Sequence, residues 1–202
     1  MPRNDRKPNV YAFIDSQNLN LGVQKVGWKM DWRKFRKYLH DKYGVTHAYM
    51  FIGYMAENEA LYEHMHELGY LIVLKPTLDI KVAPEVVDEA PENTGLSATV
   101  PTEPAAKPVV KGNIDADLVL YTMKELPNYD KAIIVSGDGD FFGLVEYLVE
   151  QGKLLHIMTP NWQYSSLLKT FEDKIVRIDQ LRRELAYHDH KRRLPFKPKP
   201  KA

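Results

Sequence analysis

The chain contains no cysteine among its 202 residues. Disulfide bonds and thiolate metal sites are therefore excluded, and any bound metal must be held by other donors. Because reduced proteins without disulfides are typical of the cytosol, a cytoplasmic location is expected. The hydrophobic fraction of 44% is nevertheless ordinary for a folded protein with a sizeable core.

Long apolar runs are also absent. No run approaches the roughly 18 residues that a membrane helix needs, and residues 1–7 lead into the first predicted strand without an apolar signal region. The formal net charge is only +1, so any affinity for nucleic acid must come from local charge. We therefore expect no membrane partner, while the sequence leaves open whether the chain forms a homo-oligomer.

Strand and helix patterns alternate along most of the chain. Strands are predicted at 10–14, 48–52, 70–74, 133–135, 154–158 and 175–178. Helices are predicted at 32–43, 57–68, 118–126, 140–151, 165–171 and 179–187. The first of these helices has Asp31 as its expected N-cap and Gly44 just past its end. Alternation of this kind predicts an α/β fold with a mostly parallel sheet in one domain, 9–187.

Two segments lack this pattern. Residues 78–110 hold five prolines and no apolar period, which predicts a flexible insertion within the domain. A lid that orders on substrate binding is the alternative. Residues 188–202 form a basic, proline-rich tail that is expected to be disordered. The tail either contacts RNA phosphates or only solubilises the chain.

Carboxylates occur where three predicted strands end or helices begin. Asp15 follows the first strand, Asp115 and Asp117 begin a helix, and Asp138 and Asp140 follow the strand at 133–135. In a doubly wound sheet all three places lie at the carboxyl edge, where ligands usually bind. Unit charges about 4 Å apart repel by roughly 4 kcal/mol at an effective dielectric near 20, so protons or a cation must compensate. Oxygen-rich donors favour Mg²⁺ or Mn²⁺.

Helical spacing separates the paired acids by role. Residues two apart on a helix point about 200° away from each other, so Asp115 is favoured as the metal-facing member. Asp117 then lies on the rim or reaches in from an irregular first turn. Asp138 is favoured as a direct ligand, with Asp140 either a ligand or a helix cap. Ordinary turn and cap chemistry is the alternative for each aspartate alone.

Three sequence motifs resemble the NYN family, which has the PIN-like ribonuclease fold and includes the LabA-like proteins. They are Ile-Asp-Ser-Gln-Asn at 14–18, Lys-Gly-Asn-Ile-Asp at 111–115 and Ser-Gly-Asp-Gly-Asp-Phe at 136–141. The resemblance covers about residues 10–178 and implies a three-layer α/β/α domain. It also implies a Mg²⁺- or Mn²⁺-dependent nuclease acting on RNA, with metal-binding aspartates at Asp15, Asp115, Asp138 and Asp140.

Further residues are candidates for substrate binding. The resemblance implies supporting roles for Asn18 and Ser136 near the phosphate or the metal. Lys111, with Asn113 in the same motif, is a candidate phosphate contact, although a solvated lysine at a loop end is as common. Trp162 either stacks on an RNA base or packs in the ordinary way.

The leading hypothesis is therefore a metal-dependent endoribonuclease. Many NYN proteins carry a further acid where this chain has Tyr121, with Asp117 as a candidate substitute. This departure supports the alternative, a non-catalytic RNA-binding or scaffold module with the same fold. A haloacid-dehalogenase-type phosphatase is disfavoured, because its Asp-x-Asp pattern is absent at residues 15–17.

Overall fold

The computed structural model describes residues 7–53, 58–75 and 114–188. Its strands are Val10–Asp15 (β1), Val45–Gly53 (β2), Leu71–Lys75 (β3), Lys131–Val135 (β4), Leu154–Thr159 (β5) and Ile175–Arg177 (β6). Its α-helices are Ser16–Lys25 (α1), Trp32–Tyr43 (α2), Glu59–Glu67 (α3), Ile114–Lys124 (α4), Phe142–Glu150 (α5) and Arg182–Leu185 (α6). Within the part of the chain that is described, 3₁₀ helices occupy Gly139–Phe141, Ser166–Lys174 and Ile178–Leu181.

The six strands form one sheet in the order β3-β2-β1-β4-β5-β6, and each neighbouring pair is parallel. The chain builds outward from β1 in one direction and returns to start β4 on the other side of it. The switch point therefore lies between β1 and β4, where the carboxyl ends of parallel strands leave a crevice for ligands. The predicted parallel α/β sheet is confirmed.

Two hydrophobic cores lie on opposite faces of the sheet. Along the fully buried β1, Ala12 and Ile14 join the core formed with α1, α2 and α3. Phe13 joins the other core, which includes residues of α4 and α5. Since alternate residues of a strand point to opposite faces, both faces of β1 are covered by helices. The result is a three-layer α/β/α arrangement.

Local signals define α2 as predicted. Asp31 accepts a hydrogen bond from the backbone N–H of Lys34 at 3.1 Å, which satisfies one free donor at the helix start. Gly44 follows the last turn with a φ of +69°, a left-handed conformation that side chains with a Cβ rarely adopt. Both expectations for this helix are confirmed.

The helix α1 was not predicted. The stretch after Asp15 is mostly polar, and only Leu19 and Val23 on α1 are buried. These two residues lie one helical turn apart and both pack into the core. They form the buried apolar stripe of α1, which is only two residues long. Tertiary packing of this narrow stripe, together with capping by Asp15, stabilises a helix that the sequence pattern indicates only weakly.

The C-terminal elements also differ from expectation. The helix predicted at 179–187 is instead a 3₁₀ helix, Ile178–Leu181, followed by the four-residue α6. The chain then straightens, because Met30 and Ala186 form an antiparallel bridge and Tyr187 N donates to Lys29 O at 2.8 Å. Likewise, the helix predicted at 165–171 is the 3₁₀ helix Ser166–Lys174.

Several predictions fall outside the described residues. They concern the insertion at 78–110, the residues Lys111 and Asn113, and the tail beyond His188. Within the ranges that are described, no helix is both long and apolar enough to cross a membrane.

Candidate active site at the carboxyl edge of the sheet

Asp15 ends β1 at the switch point and is only 6% exposed. One carboxylate oxygen, Oδ1, accepts a hydrogen bond from the backbone N–H of Asn18 at 3.0 Å and so caps α1. The other oxygen, Oδ2, accepts a hydrogen bond from the Ser136 hydroxyl at 3.2 Å. The carboxylate is thus held at both oxygens, by its own helix and by the neighbouring strand exit.

The turn after β4 is fastened to this carboxylate. Ser136 is buried, and its hydroxyl accepts a hydrogen bond from the backbone N–H of Asp138 at 3.2 Å. The Asn18 side-chain oxygen accepts a hydrogen bond from the backbone N–H of Gly137 at 3.0 Å. Asn18 and Ser136 therefore fix the position of the end of β1 relative to the turn after β4.

Asp138 and Asp140 differ in their environment. Asp138 is partly buried and accepts a hydrogen bond from the backbone N–H of Asp140 at 3.1 Å, so Asp138 caps the 3₁₀ helix that follows. The alternative that Asp140 is the cap is wrong. Asp140 is exposed and lies inside that short helix, as its second residue.

Asp115 is electrostatically coupled to the other acids. It is the second residue of α4, so it is not the cap of that helix. Burial raises the pKa of Asp115, the charges of Asp138 and Asp140 raise this pKa further, and Lys75 opposes them. The structure therefore brings Asp138 and Asp140 close enough to Asp115 for their charges to act on it.

Asp15 belongs to the same cluster. Burial is the main cause that raises the pKa of Asp15, and the charges of Asp115 and Asp138 add to it. Hydrogen bonds from Asn18 and Ser136 lower this pKa in opposition. The group of Asp15, Asp115, Asp138 and Asp140 is called the acidic cluster below, and its members come from the three junctions that the sequence indicated.

Asp117 and Lys75 form an ion pair beside the acidic cluster. The Lys75 Nζ lies 3.2 Å from the Asp117 Oδ2, and both side chains are about one-third exposed. Asp117 therefore lies on the rim, which is one of the two predicted positions. Lys75 was missed by the sequence analysis, although its place at the end of a strand, β3, is the same signal that identified Asp15.

Tyr121 occupies the position where many relatives are expected to carry an acid. Its ring centroid lies 5.7 Å from that of Phe51 and 6.0 Å from that of Tyr49, and it packs against the core on its face of the sheet. The amine of Lys124 lies 5.0 Å from the same ring centroid. The Tyr121 side chain is thus engaged in packing against these rings.

The acidic cluster suits a hard cation by the chemistry of its donors, which are all carboxylate oxygens. Burial, with the charges of neighbouring aspartates added to it, raises the pKa of Asp15 and of Asp115, and a bound cation would offset the repulsion. Within the described ranges, however, no three acidic or imidazole side chains are arranged so that they could hold one ion together. Binding by three of these residues would require a side chain such as the exposed Asp140 to change its rotamer.

Trp162 is on the loop after β5 and is 54% exposed. The Arg177 guanidinium carbon lies 5.9 Å from the centre of its ring system. Farther along the same loop, Ser165 N donates to Gly137 O at 2.9 Å, so the loop packs on the turn after β4. Trp162 thus has Arg177 as a packing partner and an exposed remainder.

A family model described as the NYN domain matches residues 9–179, which include all of the acidic cluster. The chain belongs to the NYN family. A relative of this NYN chain, the Low amplitude and bright protein LabA of Synechococcus elongatus, is 22% identical over 181 residues. The matched region covers 88% of this chain and 87% of the LabA protein.

A solved structure supports the fold of this NYN domain. The crystal structure of a protein of unknown function from Vibrio parahaemolyticus has a TM-score of 0.63 and 19% sequence identity to it. The match covers 92% of the NYN chain and 100% of the Vibrio protein. The predicted family and the three-layer PIN-like fold of the NYN domain are both confirmed.

Proposed function

We propose that this NYN domain is a divalent-metal-dependent ribonuclease that cleaves RNA at internal phosphodiester bonds. The observation that carries the proposal is the acidic cluster at the switch point, in which buried Asp15 is coupled to Asp115 and Asp138. Burial first, and neighbouring carboxylates second, raise the pKa of Asp15 and of Asp115. Perturbed carboxylates in a crevice are typical of a functional site, because stability alone disfavours them. NYN membership supports the nuclease class.

In the proposed reaction, water attacks the phosphorus of a phosphodiester, a new P–O bond forms and the bond to the leaving RNA oxygen breaks. If side chains of the acidic cluster rotate to converge on one point, a divalent cation would be held by Asp15, Asp115 and Asp138, with Asp140 as a further donor. The cation would supply charge neutralisation and activation of water. Ser136 and Asn18 hold the turn after β4 next to Asp15 through hydrogen bonds. Lys75, which opposes the charge on Asp115, is placed to limit repulsion of the phosphate.

Cleavage assays test this proposal directly. Labelled single-stranded RNA, structured RNA and single-stranded DNA are incubated with the wild type in Mg²⁺, Mn²⁺ or EDTA. We expect internal cleavage of RNA with either metal and none in EDTA, because the acidic cluster needs a cation to accept a phosphate. The products are sized on a denaturing gel, which separates internal cleavage from trimming at the ends.

The control for this assay is Asp138→Asn, purified in parallel. An amide keeps the oxygen that caps the 3₁₀ helix but carries no charge. Equal cleavage by the wild type and Asp138→Asn would contradict the assignment and point to a contaminating nuclease. Cleavage that survives EDTA would contradict the role of the metal.

A non-catalytic RNA-binding module is the second candidate function. It is favoured by the packed Tyr121 at the position of the family acid and by the lack of three converging acids among the described residues. It predicts that RNA is retained on a filter without strand scission under any of the metals. The same assay series therefore distinguishes the two functions.

Metal binding is expected to stabilise the fold. A ligand that binds only the folded state at about 100 times its dissociation constant adds about 2.7 kcal/mol to the free energy of unfolding. We expect Mn²⁺ to raise the urea midpoint of the wild type, and Asp115→Asn to remove most of this increase. Asp115 lies inside α4, as its second residue, and its replacement removes one carboxylate from the acidic cluster.

The control for the metal titration is Asp173→Asn, which changes an exposed carboxylate outside the acidic cluster. It should respond to Mn²⁺ like the wild type. An equal Mn²⁺ response in Asp115→Asn would show that the metal binds elsewhere on the protein.

A further inference from the structure

A trough runs beside α1 away from the acidic cluster. It consists of two cavities of about 210 Å³ and 370 Å³, both lined by Lys25 and Gln163. The smaller cavity begins at Asn18 and Gly137, the hydrogen-bonded pair that joins the two strand exits. The larger cavity lies at the far end and falls in the size range of small-ligand sites, about 300–1,000 Å³. The trough thus leads from Asn18 and Gly137, which adjoin the acidic cluster, to a second place for a ligand group.

Trp162 lines the larger cavity and is held in place from one side. The Arg177 guanidinium lies over its ring, at 5.9 Å from the centre. Asp179 fixes this guanidinium through two hydrogen bonds, from Nε at 3.1 Å and from a terminal nitrogen at 2.6 Å. Since more than half of Trp162 is exposed, the indole has surface available for a second planar partner.

The charged groups of the larger cavity are Lys25, Asp179 and Arg182. Asp179 is neutralised by Arg177, and Arg182 donates one weak hydrogen bond to Gly27 O at 3.3 Å. Lys25 lies in the last turn of α1, and its side-chain amine makes no hydrogen bond or ion pair with the residues described. The cavity is therefore positive next to an exposed aromatic ring, which is the combination that single-stranded nucleic acid requires.

We propose that the trough binds the single-stranded segment of RNA that flanks the phosphate in the acidic cluster, with one base stacked on Trp162 and one phosphate at Lys25. The identity of the strand rests on the proposed function. Asn18 and Lys25 are seven positions apart, which corresponds to about 10 Å of helix, or about three nucleotides at a rise of about 3.4 Å. A duplex does not fit this arrangement, because a paired base has no free face for Trp162.

The test measures binding without cleavage. In the Asp138→Asn background and in EDTA, fluorescence anisotropy measures the binding of a labelled oligouridine of ten nucleotides. Trp162→Ala should weaken binding at least about fivefold, because stacking of one base is worth about 1–3 kcal/mol. Lys25→Gln should lower the slope of log affinity against log salt by about 0.7, the loss of one phosphate contact on a single strand. A duplex of equal length should bind more weakly than oligouridine and be insensitive to Trp162→Ala.

Matched controls lie outside the trough. Tyr187→Ala removes another exposed aromatic ring that has a lysine amine, Lys29, 5.5 Å from its centre. Lys124→Gln removes another lysine in the last turn of a helix, α4. Both should leave oligouridine binding and its salt slope unchanged. Thermal unfolding of each variant shows that the fold is retained.

The outcomes separate this inference from the proposed function. If Trp162→Ala and Lys25→Gln bind oligouridine like their parent, the inference is wrong, even where the wild type cleaves RNA. That result would leave a protein partner as the occupant of the trough. If the variants weaken binding as expected but the wild type cleaves nothing, the inference stands and the proposed function fails.

Discussion

Asp15→Asn is expected to lower the rate of RNA cleavage about 100- to 1,000-fold, the usual cost of one lost electrostatic contact to the reacting group. The amide preserves the local structure, because its oxygen still accepts from Asn18 N and its nitrogen can donate to the Ser136 hydroxyl. What is lost is the charge that would hold a cation. Single-turnover cleavage with saturating Mn²⁺ measures this effect.

The same substitution is expected to stabilise the protein by about 0.5–2 kcal/mol at pH 7.5, as is common when strain at a functional site is relieved. Burial raises the pKa of Asp15 above its value in the unfolded chain. Between these two pKa values the unfolded chain releases a proton that the folded chain retains, so the stability of the wild type falls as pH rises through this window. The asparagine of Asp15→Asn does not titrate, so the variant does not lose this stability as pH rises.

Urea unfolding at pH 3.5 and pH 7.5, without metal, checks the sign. The stability gain of Asp15→Asn should be present at pH 7.5 and small at pH 3.5, where both states of the wild type hold most of the proton. The exposed Asp173→Asn should show no comparable gain at either pH. Equal gains at both pH values for Asp15→Asn would contradict a charge-based origin.

Gly22→Ala is expected to destabilise the protein by about 1–3 kcal/mol, the usual cost of overpacking. A Cβ on Gly22 would overlap the Pro160 ring, where α1 lies directly against the loop after β5. The Asn161 side-chain amide also holds this loop against α1, because it donates to Gly22 O at 2.8 Å. Thermal and urea unfolding measure the loss, and RNA binding should weaken because the trough is widened.

Gly143→Ala is the matched control for this prediction. Gly143 also lies in a helix, α5, but a Cβ there would meet no atom within 4 Å. Alanine in an open helical position is favoured over glycine by up to about 1 kcal/mol, so Gly143→Ala should be neutral or stabilising. Destabilisation of both variants to the same degree would show that contact with Pro160 is not the cause.

Much of the fold was predictable because its strands are short buried runs bounded by clear helix signals. The three acidic junctions were found for the same reason, since a parallel sheet brings the carboxyl ends of its strands to one edge. Asp31 and Gly44 mark the two ends of α2, and both were identified from the residues immediately around them. Family resemblance and pattern agreed at these positions, and the structure places the acids in one electrostatic cluster.

The remainder depends on contacts between distant parts of the chain. The helix α1 has too narrow an apolar stripe to be recognised alone, and the early end of α6 follows from the pairing of Ala186 with Met30. The partnership of Lys75 with Asp117 joins elements 42 positions apart in the sequence. The trough exists only because α1 packs beside the loop after β5, which no local pattern of residues indicates.

The helix caps at the acidic cluster affect how relatives of this chain can be classified from sequence. Asp15 and Asp138 each start a helix, so selection for folding alone would favour aspartate or asparagine at both positions in a protein that has lost all catalysis. Their presence is therefore weak evidence for an active enzyme. Asp115 starts no helix and bears a cost of burial and repulsion, which makes its retention the more telling mark of a working site.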